Sequence, residues 1–66
     1  SPNNADMASI ENKGSSNFIV YGFSETRRSL LVNEIGNWTG KVIIPAKTLL
    51  VTVKSSGTWT FDITAR

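Results

Sequence analysis

Gly14-Ser15-Ser16-Asn17-Phe18-Ile19-Val20-Tyr21-Gly22-Phe23 joins a small-residue turn to a run dense in β-formers, and Ser55-Ser56-Gly57-Thr58-Trp59-Thr60-Phe61-Asp62-Ile63 repeats the arrangement near the other end of the 66-residue chain. A turn of Gly and Ser followed by period-two hydrophobicity is the mark of a β-hairpin, so one is expected at each place. In the first run Phe18 and Val20 fall on one face and Ile19, Tyr21 and Phe23 on the other. Both faces are apolar, which predicts a central strand. In the second, Trp59, Phe61 and Ile63 alternate with Thr60, Asp62 and Thr64, which predicts a strand with one buried face and makes Phe18 and Trp59 the expected core anchors.

Working outward, residues 7–12 alternate weakly and read as a first strand ending near Asn12. Ser24 to Arg28 is a polar connection, and Ser29 to Val32 is long enough for a strand and too short for a stable helix. Asn33 to Gly40 holds two Asn and two Gly in eight residues and reads as a loop carrying Trp38. Lys41 to Ile44 is a strand stopped by Pro45, which lacks the ladder's donor. Pro45-Ala46-Lys47 turns the chain into Thr48 to Lys54, where Leu49, Val51 and Val53 point one way and Leu50, Thr52 and Lys54 the other. Short strands about ten residues apart, with no helical period, predict an all-β fold: a small antiparallel β-sandwich or barrel of five to six short strands in a single domain, residues 1–5 flexible.

Size and composition narrow the function. Ordering a residue costs roughly 1.5 kcal/mol, so a chain this short must bury nearly all of its large apolar side chains. It has no Cys and no His, which removes disulfides, ordinary zinc sites, Ser-His-Asp triads and cysteine nucleophiles. No catalytic residue, metal or cofactor is expected, and the five carboxylates have no spacing that requires an acid and base pair. The seven basic residues give a net charge of +2 but are dispersed, only Arg27 and Arg28 being adjacent, so nucleic acid is not an expected partner. No run approaches the length of a transmembrane segment.

The residues open to binding are few. Trp38 and Asn37 stand in the Gly-rich loop, where the indole either stacks on a ligand or plugs the open end of a small core. Arg27 and Arg28 supply the one local concentration of cations, and Tyr21 with Phe23 forms an aromatic pair on the second face of its strand, an exposed platform unless that face meets a sheet or a partner. Trp38, Asn37, Arg27, Arg28 and Tyr21 are therefore the candidate ligand or partner contacts.

Three blocks in order give a resemblance: residues 14–20 (Gly-Ser-Ser-Asn-Phe-Ile-Val), residues 30–40 (Leu-Leu-Val-Asn-Glu-Ile-Gly-Asn-Trp-Thr-Gly) and residues 57–63 (Gly-Thr-Trp-Thr-Phe-Asp-Ile). The chain from about Ala8 to Ile63 resembles a small β-sandwich domain that recurs in secreted and lipid-anchored proteins of Gram-positive and related bacteria. The resemblance implies an extracytoplasmic, non-enzymatic accessory module and carries over no catalytic residue. Two departures stand out: the family's additional strand before the Met7 to Asn12 segment is missing, and the Gly that often follows Ala46 is replaced by Lys47. A missing strand is expected to leave an unpaired edge and hence a homodimer by edge pairing, or a fragment of a larger protein. The expected function is a secreted or extracytoplasmic module that binds or scaffolds at the cell envelope, its partner an envelope component or another protein. The rival is a secreted cationic antibacterial protein acting on membranes or wall precursors, which the low charge and the lack of a basic amphipathic segment oppose.

Overall fold

The computed structural model describes residues 5–65, with the side chain of Ala65 excepted. It is all-β: β1 (Asp6–Lys13), β2 (Asn17–Phe23), β3 (Arg28–Ile35), β4 (Trp38–Ile44), β5 (Leu50–Lys54) and β6 (Thr58–Ala65). The strands form two antiparallel three-stranded sheets, one ordered β4-β1-β6 and the other β3-β2-β5. We call them sheet A and sheet B. The expected flexibility of residues 1–5 concerns mainly residues 1–4, outside the described residues.

The sheets pack through the strands at their centres. Ala8 and Ile10 of β1, Phe18 and Val20 of β2, Val32 of β3 and Ile44 of β4 are the buried apolar core. The period-two pattern of β2 works as its sequence implies, Phe18 and Val20 facing sheet A while Ile19, Tyr21 and Phe23 face away from it.

The connectivity departs from the sequence expectation. β1 and β2 do not form a hairpin, nor do β5 and β6, because in each case the two strands belong to different sheets. Only β2 and β3 are consecutive and paired, through the Ser24 to Arg27 connection. The Gly/Ser turns are sheet-crossing corners. A turn of three small residues reverses the chain equally well within a sheet or between two; the deciding term is which apolar faces must meet.

Three such corners interlock at one end of the molecule, with Asn12 at their centre. Its side chain is 1% exposed; Nδ2 donates to the Gly36 carbonyl at 2.9 Å, and Oδ1 accepts from Ser55 Oγ at 2.6 Å. Around it the Ser15 and Ser16 amides donate to Ser56 Oγ, the Gly14 amide to Asn37 Oδ1 and the Gly36 amide to the Ser16 carbonyl. The two turns noted first in the sequence therefore touch in space. At Gly57 a Cβ would overlap the Lys13 carbonyl oxygen, so this corner closes only with glycine.

Further corrections concern the aromatic residues and the strand edges. Residues 33–40 are not a loop: β3 runs to Ile35 and β4 starts at Trp38, leaving a turn at Gly36 and Asn37. Trp59 is not a buried anchor. It shares a face with Asn12 and Phe61, but β6 lies at the edge of sheet A, and Trp59 and Ile63 are 46% and 51% exposed. β3 and β4 hold one side of the sandwich closed, whereas β5 and β6 approach less closely on the other. β1 is paired on both sides, so no edge is left open at that strand; the sheet edges are β3, β4, β5 and β6.

Candidate functional site

The outer faces of the two sheets differ in chemistry. On sheet A, β1 presents Met7, Ser9, Glu11 and Lys13, β4 Thr39, Lys41 and Ile43, and β6 Thr60 and Asp62, a mainly polar surface with an apolar pair where Met7 faces Ile43. Lys13 and Glu11 form a long ion pair there, 4.0 Å apart. The outer face of sheet B carries an apolar cluster at its centre and one end, bordered by Asn33 and Arg28 of β3 and by Thr52 and Lys54 of β5. Ile19, Tyr21 and Phe23 of β2 lie between Leu30 of β3 and Leu50 of β5, and these two leucines are 51% and 59% exposed.

The register explains how the patch is assembled. Phe23 stands opposite Leu50 on one side and Arg28 on the other; Tyr21 stands opposite Thr52 and Leu30. An irregularity between Val20 and Tyr21 makes this possible, since Val20 pairs with Val32 but Tyr21 with Leu30, and Leu31 becomes the extra residue of a β-bulge. Without that step Leu30 and Val32 would share a face. With it, Val32 enters the core and Leu30 joins the outer patch.

Within the patch the rings of Tyr21 and Phe23 are 6.2 Å apart and inclined at 50°, a tilted arrangement within the contact range of aromatic pairs. The Arg28 guanidinium lies 4.7 Å from the Tyr21 ring centre, within cation–π range.

The patch ends at the β2–β3 hairpin. Ser24 organises this loop: its amide and hydroxyl donate to the Arg27 carbonyl, and its Oγ accepts the Arg27 amide at 3.1 Å. Beside it the β4–β5 turn is closed by the Thr48 amide and hydroxyl, both donating to the Pro45 carbonyl. Between hairpin and turn lies a recess of about 220 Å³, lined by Gly22, Pro45 and Ala46 as well as by Ser24, Ser29 and Thr48, with Arg27 and Lys47 at its walls.

The structure thus divides the five sequence candidates. Tyr21, Arg28 and Arg27 lie together at one end of sheet B, on the platform and beside the recess. Asn37 and Trp38 lie at the opposite end, where both have structural contacts. Asn37 accepts the Gly14 amide, and Trp38 packs against the core with its ring 6.4 Å from that of Phe18. The indole lies over Gly40, where a Cβ would come within 2.6 Å of it. Trp38 is a plug, and the Trp-x-Gly spacing is what lets it lie flat.

Sequence reasoning paired Phe23 with Tyr21 but passed over Leu30, Leu50 and Lys47. Leu50 carried a signal, being on the same side of its strand as Thr52 and Lys54, away from the core. Leu30 carried none, because its face depends on the bulge. Comparison with protein-family models, with curated proteins and with solved structures finds no match for this chain.

Proposed function

We propose that this domain is a non-enzymatic, extracytoplasmic bacterial module that binds a component of the cell envelope through the outer face of sheet B. The observation that carries the reading is the cluster of Tyr21, Phe23, Leu30 and Leu50 on the outer face of sheet B, with the Arg28 guanidinium 4.7 Å from the centre of the Tyr21 ring. An antiparallel sheet needs only one covered face, and an apolar outer face in so small a domain is a docking surface. The ligand that fits offers an apolar ring or chain to Tyr21 and Phe23 and an anionic group to Arg28. Sugar-containing anionic polymers of a bacterial wall have this chemistry. The partners in this reading are such an envelope component and, through a sheet edge, a second copy of the chain. Secretion follows from where the ligand is.

The test is cosedimentation of the purified chain with isolated Gram-positive cell walls. Tyr21→Ala and Arg28→Ala are each expected to weaken binding about tenfold, the effect of losing a stacked aromatic or cation–π contact of 1–2 kcal/mol. Asn37→Ala, at the far end, is expected to bind as the parent does. Binding insensitive to Tyr21 and Arg28, or no binding, would remove the proposal.

A further inference from the structure

Strands β5 and β6 leave an apolar mouth on one side of the sandwich. Trp59, Phe61 and Ile63 of β6 point toward sheet B, and Val51 and Val53 of β5 toward sheet A, yet Trp59 and Ile63 are half exposed. A strand edge beside exposed inner-face residues is an incomplete core with free backbone donors and acceptors along its rim.

The four sheet edges are not equally protected. β3 carries a bulge with Arg28 and Glu34; β4 carries Lys41 and runs into Pro45; β5 has only five residues and ends in Lys54. Such features are the ordinary means of blocking edge-to-edge association. β6 is eight residues long, with no Lys, Arg or Pro, one charge at Asp62, and Thr, Trp, Phe and Ile throughout. It is the edge built to pair.

We infer that β6 pairs antiparallel with β6 of a second copy, in the register centred on Phe61. A two-fold axis perpendicular to the sheet keeps inner residues on the inner face, so the strand can be centred on Thr60, Phe61 or Asp62. Centring on Asp62 sets two carboxylates directly opposite one another, which is destabilising. Centring on Thr60 pushes Gly57 and its corner into the ladder, although that corner is already packed against Lys13 and Gly14. Centring on Phe61 pairs the strand from Thr58 to Thr64, sets Trp59 against the partner's Ile63 and gives Asp62 the partner's Thr60 hydroxyl. Aromatic with β-branched, and carboxylate with hydroxyl, are favourable cross-strand pairs. The result is a continuous six-stranded sheet in which the exposed β6 residues become interior. It makes the second-copy part of the proposed function specific and does not depend on the ligand face.

The chain has no cysteine, so the register can be read by disulfide trapping. Thr60→Cys and Asp62→Cys change exposed outer-face residues and preserve the core. The Phe61 register places position 60 opposite position 62 of the partner, within the Cα separation a disulfide needs. Oxidation of an equal mixture of the two variants is expected to give the mixed disulfide, and Thr60→Cys alone mainly monomer. Sedimentation at high micromolar concentration is expected to show a dimer for the parent chain, loss of the dimer for Ile63→Lys, and retention for Tyr21→Ala. A monomeric parent, a predominant disulfide from Thr60→Cys alone, no mixed disulfide from the two variants together, or a dimer broken by Tyr21→Ala and not by Ile63→Lys would overturn the inference. Because no wall ligand enters these measurements, their failure leaves the binding-face reading standing, and the reverse holds too.

Discussion

Asn12 carries more of this fold than any other polar side chain among the described residues. It is buried at the meeting of three corners, where its amide both donates and accepts, so removing it leaves the Gly36 carbonyl without this donor and the Ser55 hydroxyl, which itself accepts the Gly57 amide, without its acceptor. Asn12→Ala is expected to lower stability by about 1–3 kcal/mol, the cost of leaving buried polar groups unsatisfied. Asn12→Asp should cost at least as much, since it replaces the donor facing a carbonyl oxygen by an acceptor. Chemical denaturation of the two variants checks both. Lys47 is the opposite case. It holds φ at 69°, a left-handed conformation that costs an L side chain about 1–2 kcal/mol. Lys47→Gly is expected to stabilise the chain by up to about 1 kcal/mol, the gain being offset in part by the entropy glycine loses on folding. A raised denaturation midpoint with an unchanged slope is the sign to look for.

At the scale of the strand, β4 and β6 show opposite uses of tryptophan. Trp38 begins β4 and lies over Gly40, so a methyl group there must displace the indole from its contact with Phe18. Gly40→Ala is expected to cost about 1–3 kcal/mol, as overpacked sites do, and to red-shift Trp38 emission in a Trp59→Phe background. Trp59 sits on an edge strand with its inner face half uncovered. In a Trp38→Phe background its emission should shift to the blue as protein concentration rises, with a midpoint that matches dimerisation by sedimentation; emission independent of concentration would contradict a β6 interface. The bulge in β3 is the third strand-scale device, since it alone puts Val32 in the core and Leu30 on the outer patch.

On the whole-molecule scale the dominant fact is how much apolar surface is left outside. Leu30, Ile35, Ile43, Leu49, Leu50, Trp59 and Ile63 are all exposed, in a chain whose core rests on six buried apolar side chains. The argument from size that nearly every large apolar residue must be buried fails for the isolated chain, and association is the route by which it can still hold. Two surfaces absorb most of this excess: the outer face of sheet B and the β5–β6 mouth. They lie on different faces of the sandwich, so a double variant such as Tyr21→Ala with Ile63→Lys is expected to lose wall binding and dimerisation independently, each to the extent of its single variant. Titration of walls with the parent and the three variants would measure it.

Local alternation determined that this chain is all-β, that β2 is central with two apolar faces, and that Tyr21 and Phe23 share a face, because the side-chain period of two is fixed by the backbone and can be read along a strand. The candidate site was half legible for the same reason: Tyr21, Phe23 and the Arg27/Arg28 pair are neighbours in sequence as well as in space. Only the tertiary structure decided which strands pair, since a Gly/Ser turn is satisfied by a hairpin or by a corner, and partner choice depends on faces brought together from distant segments. It chose, of the two readings of Trp38, the plug packed against the core, and moved Trp59 from the core to an edge: a side chain's direction follows from its own strand, whereas its burial depends on whether another strand lies across from it.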